Sequence, residues 1–174
     1  MLTNSEKLSW MAGFFDGEGY VGIGKLRAAP FIARGKPGWL NDMHFVILIV
    51  TNNELNSLMI FKEYFGGKVL NKINPLRKNG SPGSTTYTWS LTKKHELLNF
   101  LTIIEPYCVI KGPQVYTARY FMSLPRLPSK SVNIEIINKK EGMLKEREEL
   151  YLLMKDLKNN PTTGNKVGNL RVIT

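Results

Sequence analysis

Two carboxylates, Asp16 and Glu18, stand two residues apart at the end of an apolar run, with Gly17 between them and Gly19 after them. The run Trp10-Met11-Ala12-Gly13-Phe14-Phe15 has the character of a helix, so both acids fall at its C-terminal end. That end carries about half an elementary negative charge from carbonyls with no following N–H to accept from. Carboxylates are repelled there, and a helix with a purely structural task more often ends in Lys or Arg before its glycine. A bound divalent cation is the simplest remedy, which makes this turn the first candidate for chemistry in the chain.

The elements that must position the turn follow from pattern. Thr3 and Glu6 have capping-box spacing and predict a helix running to about Asp16. Leu8, Met11, Phe14 and Phe15 line one side of it, and Ala12, Gly13 and Gly17 leave a bare one. Small residues allow a second helix to approach closely; the same groove could equally pack on the chain's own sheet. Tyr20 to Arg27 alternates with period two, with Val21 and Ile23 toward a core and Gly22 and Gly24 on the opposite face. The Pro- and Gly-punctuated segment from Ala28 to Asn41 is expected as a long hairpin tip, whose Arg34, Lys36 and Trp39 could reach along phosphates. Met43 to Thr51 is a strand apolar on both faces, so pattern alone does not separate its core side from its ligand side.

A short helix is predicted from Glu54 to Phe65, closed by Gly66-Gly67. Lys68 to Asn74 then forms a strand with Val69 and Ile73 on one face and Lys68, Lys72 and Asn74 on the other. After a basic turn from Pro75 to Ser84, which holds Arg77 and Lys78, Tyr87, Trp89 and Leu91 alternate with Thr86, Thr88, Ser90 and Thr92. Helices are expected from His95 to Ile104, from about Gly112 to Met122 and from Asn138 to Lys158, and Asn159 to Thr174 as a loose tail. The order helix-strand-strand-helix-strand-strand-helix predicts one α+β domain over 1–158, with an antiparallel sheet and helices gathered on one face.

Charge adds a partner class. The net charge is +10, and from Tyr20 to His95 eleven basic residues face three acidic ones, whereas Asn138 to Lys158 has six against five. A basic sheet beside near-neutral helices matches a nucleic-acid face, and its Lys, Thr, Ser and Asn side chains suit the phosphates and base edges of a major groove. A generally basic soluble protein is the plainer alternative. The single cysteine, Cys108, and two histidines argue against internal disulfides and a Cys/His zinc site. No segment approaches the roughly eighteen apolar residues of a membrane span, and the first residues lack the pattern of a secretory signal, so an intracellular protein is expected.

Met11-Ala12-Gly13-Phe14-Phe15-Asp16-Gly17-Glu18-Gly19, together with the αββαββα order, resembles the LAGLIDADG homing endonucleases, with Glu18 in place of the usual final Asp. The similarity continues to about Leu157: Val50-Thr51-Asn52 ends a strand where the family often has a polar residue near the active site, and Glu105-Pro106-Tyr107 leads to Lys111 like the family's Pro-aromatic segment before an active-site lysine. The resemblance implies a saddle-like DNA-binding sheet and a site-specific, divalent-metal-dependent endonuclease of the intron- or intein-mobility type, housed in an organelle or a prokaryotic cytoplasm. It implies Glu18 and the Gly17 carbonyl as ligands for Mg²⁺ or Mn²⁺, with Lys111 and Asn52 as further catalytic residues. Helix packing through Ala12, Gly13, Asp16 and Gly17 would make a homodimer on a long pseudo-palindromic duplex. Gly22, Gly24, Lys25, Arg27, Arg34, Lys36, Lys68, Lys72, Asn74, Arg77, Lys78, Thr86, Thr88 and Ser90 would contact the DNA. In the family's register Phe45, Ile47 and Ile49 point toward DNA, where polar readers are usual; either they meet thymine methyls, or the strand sits one residue out of register. An RNA-binding maturase or a non-cleaving DNA-binding protein of the same fold is the alternative.

Overall fold

Thr3 and Glu6 close the expected capping box: Thr3 Oγ1 accepts the Glu6 N–H at 3.3 Å, and Glu6 Oε2 accepts the Thr3 N–H at 2.6 Å. The helix they open, α1 (Asn4–Glu18), runs two residues past Asp16 and carries both carboxylates in its last turn. The structure, a computed structural model, describes residues 3–26, 29–33, 36–40, 43–73, 83–128 and 133–160. Arg27, Arg34, Asn74, Arg77 and Lys78 lie outside the described residues.

From α1 the chain passes directly into β1 (Gly19–Leu26), which pairs with β4 (Met43–Asn52). After α2 (Leu55–Phe65), strands β5 (Lys68–Ile73) and β6 (Thr85–Leu91) complete a four-stranded antiparallel sheet of order β1-β4-β6-β5. The predicted hairpin tip is instead a second antiparallel ribbon, β2 (Ala29–Ala33) with β3 (Lys36–Leu40), so Lys36 opens a strand. Pro30 and Pro37 suggested a loop, but a two-stranded ribbon has only edges, where a residue without an N–H is tolerated. Helices α3 (Lys94–Ile104), α4 (Gly112–Ser123) and α5 (Ile134–Asn159) follow, with a 3₁₀ turn (Glu105–Tyr107) between the first two. The fold is α+β in the αββαββα order, with the ribbon inserted between the first two sheet strands and further helices after.

One face of the sheet is covered by helices. Val21, Ile23, Leu48, Val50, Trp89 and Leu91 are buried there against Met11, Ala12 and Phe15 of α1, Phe61 of α2, Phe100 of α3 and Met154 of α5. Phe100 sits 5.1 Å from Phe15 and 5.4 Å from Trp89, centroid to centroid, so the first helix is locked to the second half of the fold through aromatic contacts. Trp89 Nε1 donates to the Gly66 carbonyl at 2.8 Å. That arrangement requires the tight Gly66-Gly67 turn, where φ is 78° and 82°. A Cβ on Gly67 would stand 2.6 Å from the Ser90 carbonyl oxygen.

Candidate active site and nucleic-acid interface

The two carboxylates in the last turn of α1 have different surroundings. Asp16 is buried, and its carboxylate accepts three consecutive backbone N–H groups: Val109 at 2.7 Å and Ile110 at 3.0 Å on one oxygen, Lys111 at 2.9 Å on the other. These three residues lead into α4, the last of them being its N-cap, so Asp16 on α1 fixes the segment from which that helix starts. The negative end of one helix thus meets the positive end of another. Lys111 closes the junction by donating from Nζ to the Asp16 carbonyl oxygen in the last turn of α1. Burial pushes the Lys111 ammonium below its ordinary pKa, against the opposing pull of Asp16, Cys108 and Glu18. The neighbouring Cys108 thiol is pushed up to about 12, first by burial and then by Asp16.

Glu18, the last residue of α1, is exposed and makes no hydrogen bond or ion pair with any described residue. The repulsion expected for two carboxylates at a helix end is therefore relieved for Asp16 by backbone N–H groups, and it persists for Glu18, with the Lys111 charge nearby. Among the described residues, no three His, Cys, Asp and Glu side chains gather into a closed metal cage.

The bare side of α1 is narrower than expected. Gly13 and Gly17 are exposed, and a Cβ on either would meet nothing within 4 Å. Ala12 does not belong to that side: it is fully buried in the core of its own chain. Asp16 likewise is occupied internally and offers its carboxylate to α4 rather than outward. Asn52 Oδ1 accepts the Glu54 N–H at 2.8 Å, and Glu54 Oε1 in turn caps α2 by accepting the Asn56 N–H. The Asn52 carbonyl is thus spent on the entry to a helix.

Register settles the faces of the sheet. Gly22 pairs with Ile47 and Gly24 with Phe45, while Val46, Leu48 and Val50 are buried beneath the helices. Phe45, Ile47 and Ile49 therefore do point away from the helices. The two glycines do not leave open backbone on that face, because the chain's own side chains cover them. A Cβ on Gly22 would lie 2.7 Å from the Tyr20 hydroxyl, and one on Gly24 would lie 2.8 Å from Phe45 Cζ and 2.9 Å from Ile47 Cδ1.

Lys25 is also corrected. Period two places it with Val21 and Ile23 on the helix side, where its Nζ meets Glu148 Oε2 of α5 at 2.7 Å. His44 Nε2 meets the same oxygen at 2.9 Å, so Glu148 ties α5 to both β1 and β4. On the outer face, Lys68 and Lys72 of β5 are exposed, opposite Ser90 and Thr86 of β6. Thr88 shares a hydroxyl contact of 3.2 Å with Thr51, and Thr86 donates to Asn53 Oδ1 at 3.3 Å.

No known family profile matches the chain, and no curated protein matches it in sequence. Solved structures do match. The homing endonuclease I-CvuI, in complex with its target, superposes with a TM-score of 0.55 at 19% identity, over 93% of this chain and 94% of that one. The group I intron-encoded homing endonuclease I-CeuI, complexed with DNA, gives 0.55 at 17%, over 88% of this chain and 68% of that one. The LAGLIDADG homing endonuclease I-LtrWI, bound to target DNA, gives 0.50 at 16%, over 90% of this chain and 45% of that one. The chain has the fold of the LAGLIDADG homing endonucleases. Among the described residues, no helix is long and apolar enough to cross a membrane.

Proposed function

We propose that the chain is a site-specific DNA endonuclease that works as a homodimer and depends on a divalent cation. The observation that carries this reading is Glu18: an exposed carboxylate with no hydrogen-bond or ion-pair partner among the described residues, held at the negative end of a helix whose preceding acid is fully engaged. Nothing structural within the described chain accounts for it.

The surroundings of Glu18 fit a hard cation with open coordination. It offers carboxylate oxygens beside the free carbonyl end of α1, including that of Gly17, and the remaining positions would fall to phosphate oxygens and waters. When bound, Mg²⁺ or Mn²⁺ supplies charge neutralisation at the phosphate and an activated water. Lys111, anchored on the Asp16 carbonyl, holds a positive charge at the same place and would stabilise the negative charge that develops on the phosphate. Asp16 acts as a positioning residue, fixing the α4 entry from which Lys111 projects.

The dimer rests on Gly13 and Gly17, two exposed positions one helical turn apart with open space above them. A second copy packed there would bring its own Glu18 to the same junction, adding the carboxylate that one chain lacks. The outer sheet face, with Lys68, Lys72, Thr88 and Ser90, would lie along the duplex. To test the reading, bound duplexes are selected from a randomised library and incubated with the protein and Mg²⁺. A double-strand cut at a fixed position, absent without the cation, is expected; selective binding without any cut would leave the non-cleaving alternative.

A further inference from the structure

The outer face of β4 is apolar from Met43 to Ile49, and Thr51 ends the stripe. Met43 and Phe45 are exposed and Ile47 and Ile49 half-buried, each on the side away from the helices, and no polar side chain interrupts them. Phe45 and Ile47 are also fixed in direction, since both lie against the backbone of Gly24. The same face carries the exposed ammonium groups of Lys68 and Lys72 on β5, with Ser90 and Thr88 of β6 between them and β4. An apolar stripe flanked by cations does not suit a protein core, but it does suit a polyanion that carries apolar groups.

We propose that this stripe reads thymine methyl groups in the major groove, so that the bound site is rich in T·A pairs beneath β4. The inference rests on the endonuclease reading for its duplex partner and goes beyond it by naming what the duplex must contain. Of the groups on major-groove base edges, the thymine C5-methyl is the apolar one; the others donate or accept hydrogen bonds. A Phe or Ile can satisfy none of those, and burying an unmatched donor or acceptor against it costs binding energy. Alternate residues of a strand stand about 6.8 Å apart, close to two base-pair rises of about 3.4 Å, so consecutive stripe residues would meet about every second base pair. Because Gly19 begins β1 and pairs with Val50, Ile49 lies nearest Glu18 and Met43 farthest from it. The preference should therefore fall within about seven base pairs of the cut on each side. The A-form major groove is too narrow for side chains to read, and RNA carries uracil, so the stripe also argues for DNA over RNA.

The test uses the full chain and the selected duplex. Deoxyuridine replaces thymidine at the positions beneath β4, which deletes the methyl alone. The expected result is a loss of about fourfold in affinity per methyl removed, and about sixtyfold for three. Deoxyuridine at positions beyond the stripe should change affinity by less than twofold. Ile47→Ser should abolish the sensitivity at its own position, and the measurement on the unmodified protein stands whether or not that variant folds. Equal affinity for thymidine and deoxyuridine duplexes, with selective binding retained, would overturn the methyl readout and leave the endonuclease reading intact. Failure to select any duplex would overturn both.

Discussion

Asp16→Ala and Glu18→Gln separate the two carboxylates most sharply, since they stand two residues apart on one helix and differ in every contact. Asp16→Ala removes the acceptor for three backbone N–H groups at the α4 entry, all in a partly buried setting. Hydrogen bonds to a charged group contribute roughly 1.5–3 kcal/mol each, but the three share one carboxylate, and water can reach part of the loop once it opens. A loss of about 3–5 kcal/mol of stability is expected, near the range for breaking a buried charged network. With a urea dependence of about 2 kcal/mol per M for a domain of this size, the unfolding midpoint should fall by about 1.5–2.5 M. Glu18→Gln, at an exposed position with no described partner, should leave the midpoint unchanged. Equilibrium urea unfolding followed by far-UV circular dichroism and tryptophan fluorescence measures both. Equal midpoints for Asp16→Ala and the unmodified protein would refute the structural role of Asp16, and a large fall for Glu18→Gln would refute the claim that this residue is free for function.

Other perturbations bear on the remaining parts. Gly13→Leu should fill the open face of α1 and convert a dimer to a monomer in sedimentation or light scattering; an unchanged dimer would place the interface elsewhere. Glu148 is held below its ordinary pKa of 4.5 by Lys25 first and by His44. Its stabilising effect is therefore fully present above about pH 4.5 and is lost as pH falls through the lowered value. Glu148→Gln should flatten the decline in unfolding midpoint on the acid side of pH 4.5, read by urea unfolding as a function of pH. DNA binding should weaken on the order of a thousandfold between 50 and 200 mM salt if six or more phosphates are neutralised, read by fluorescence anisotropy; a flat response would argue against a phosphate-tracking face.

How much of this was legible in the sequence depends on the range of the contacts. The capping box at Thr3 and Glu6 and the alternation of Trp89 and Leu91 with Thr88 and Ser90 are local, and the fold keeps them as the pattern predicts. The face of Lys25 was also legible: with Val21 and Ile23 inward, period two sends Lys25 inward, and counting charges without parity hid this. Ala12 falls one turn from Leu8 and from Asp16, on the buried side of the helix, whereas Gly13 and Gly17 fall on the open side. The outer face of β4 could not be read, because apolar residues on both faces carry no parity; the pairing of Gly24 with Phe45 decided it. The task of Asp16 was out of reach, since its partners are Val109, Ile110 and Lys111, more than ninety residues later. Of the two acids at the helix end, one is compensated by the chain itself and the other is left exposed.

The central claim is that Glu18 is the cation-holding, cleavage-bearing residue of a DNA endonuclease. The most direct measurement compares the unmodified protein and Glu18→Gln on one selected duplex in Mg²⁺, with cleavage and affinity read in parallel. The account predicts a double-strand cut by the unmodified protein and none by Glu18→Gln, with affinities within a few fold of one another. A cut of undiminished rate by Glu18→Gln would contradict it.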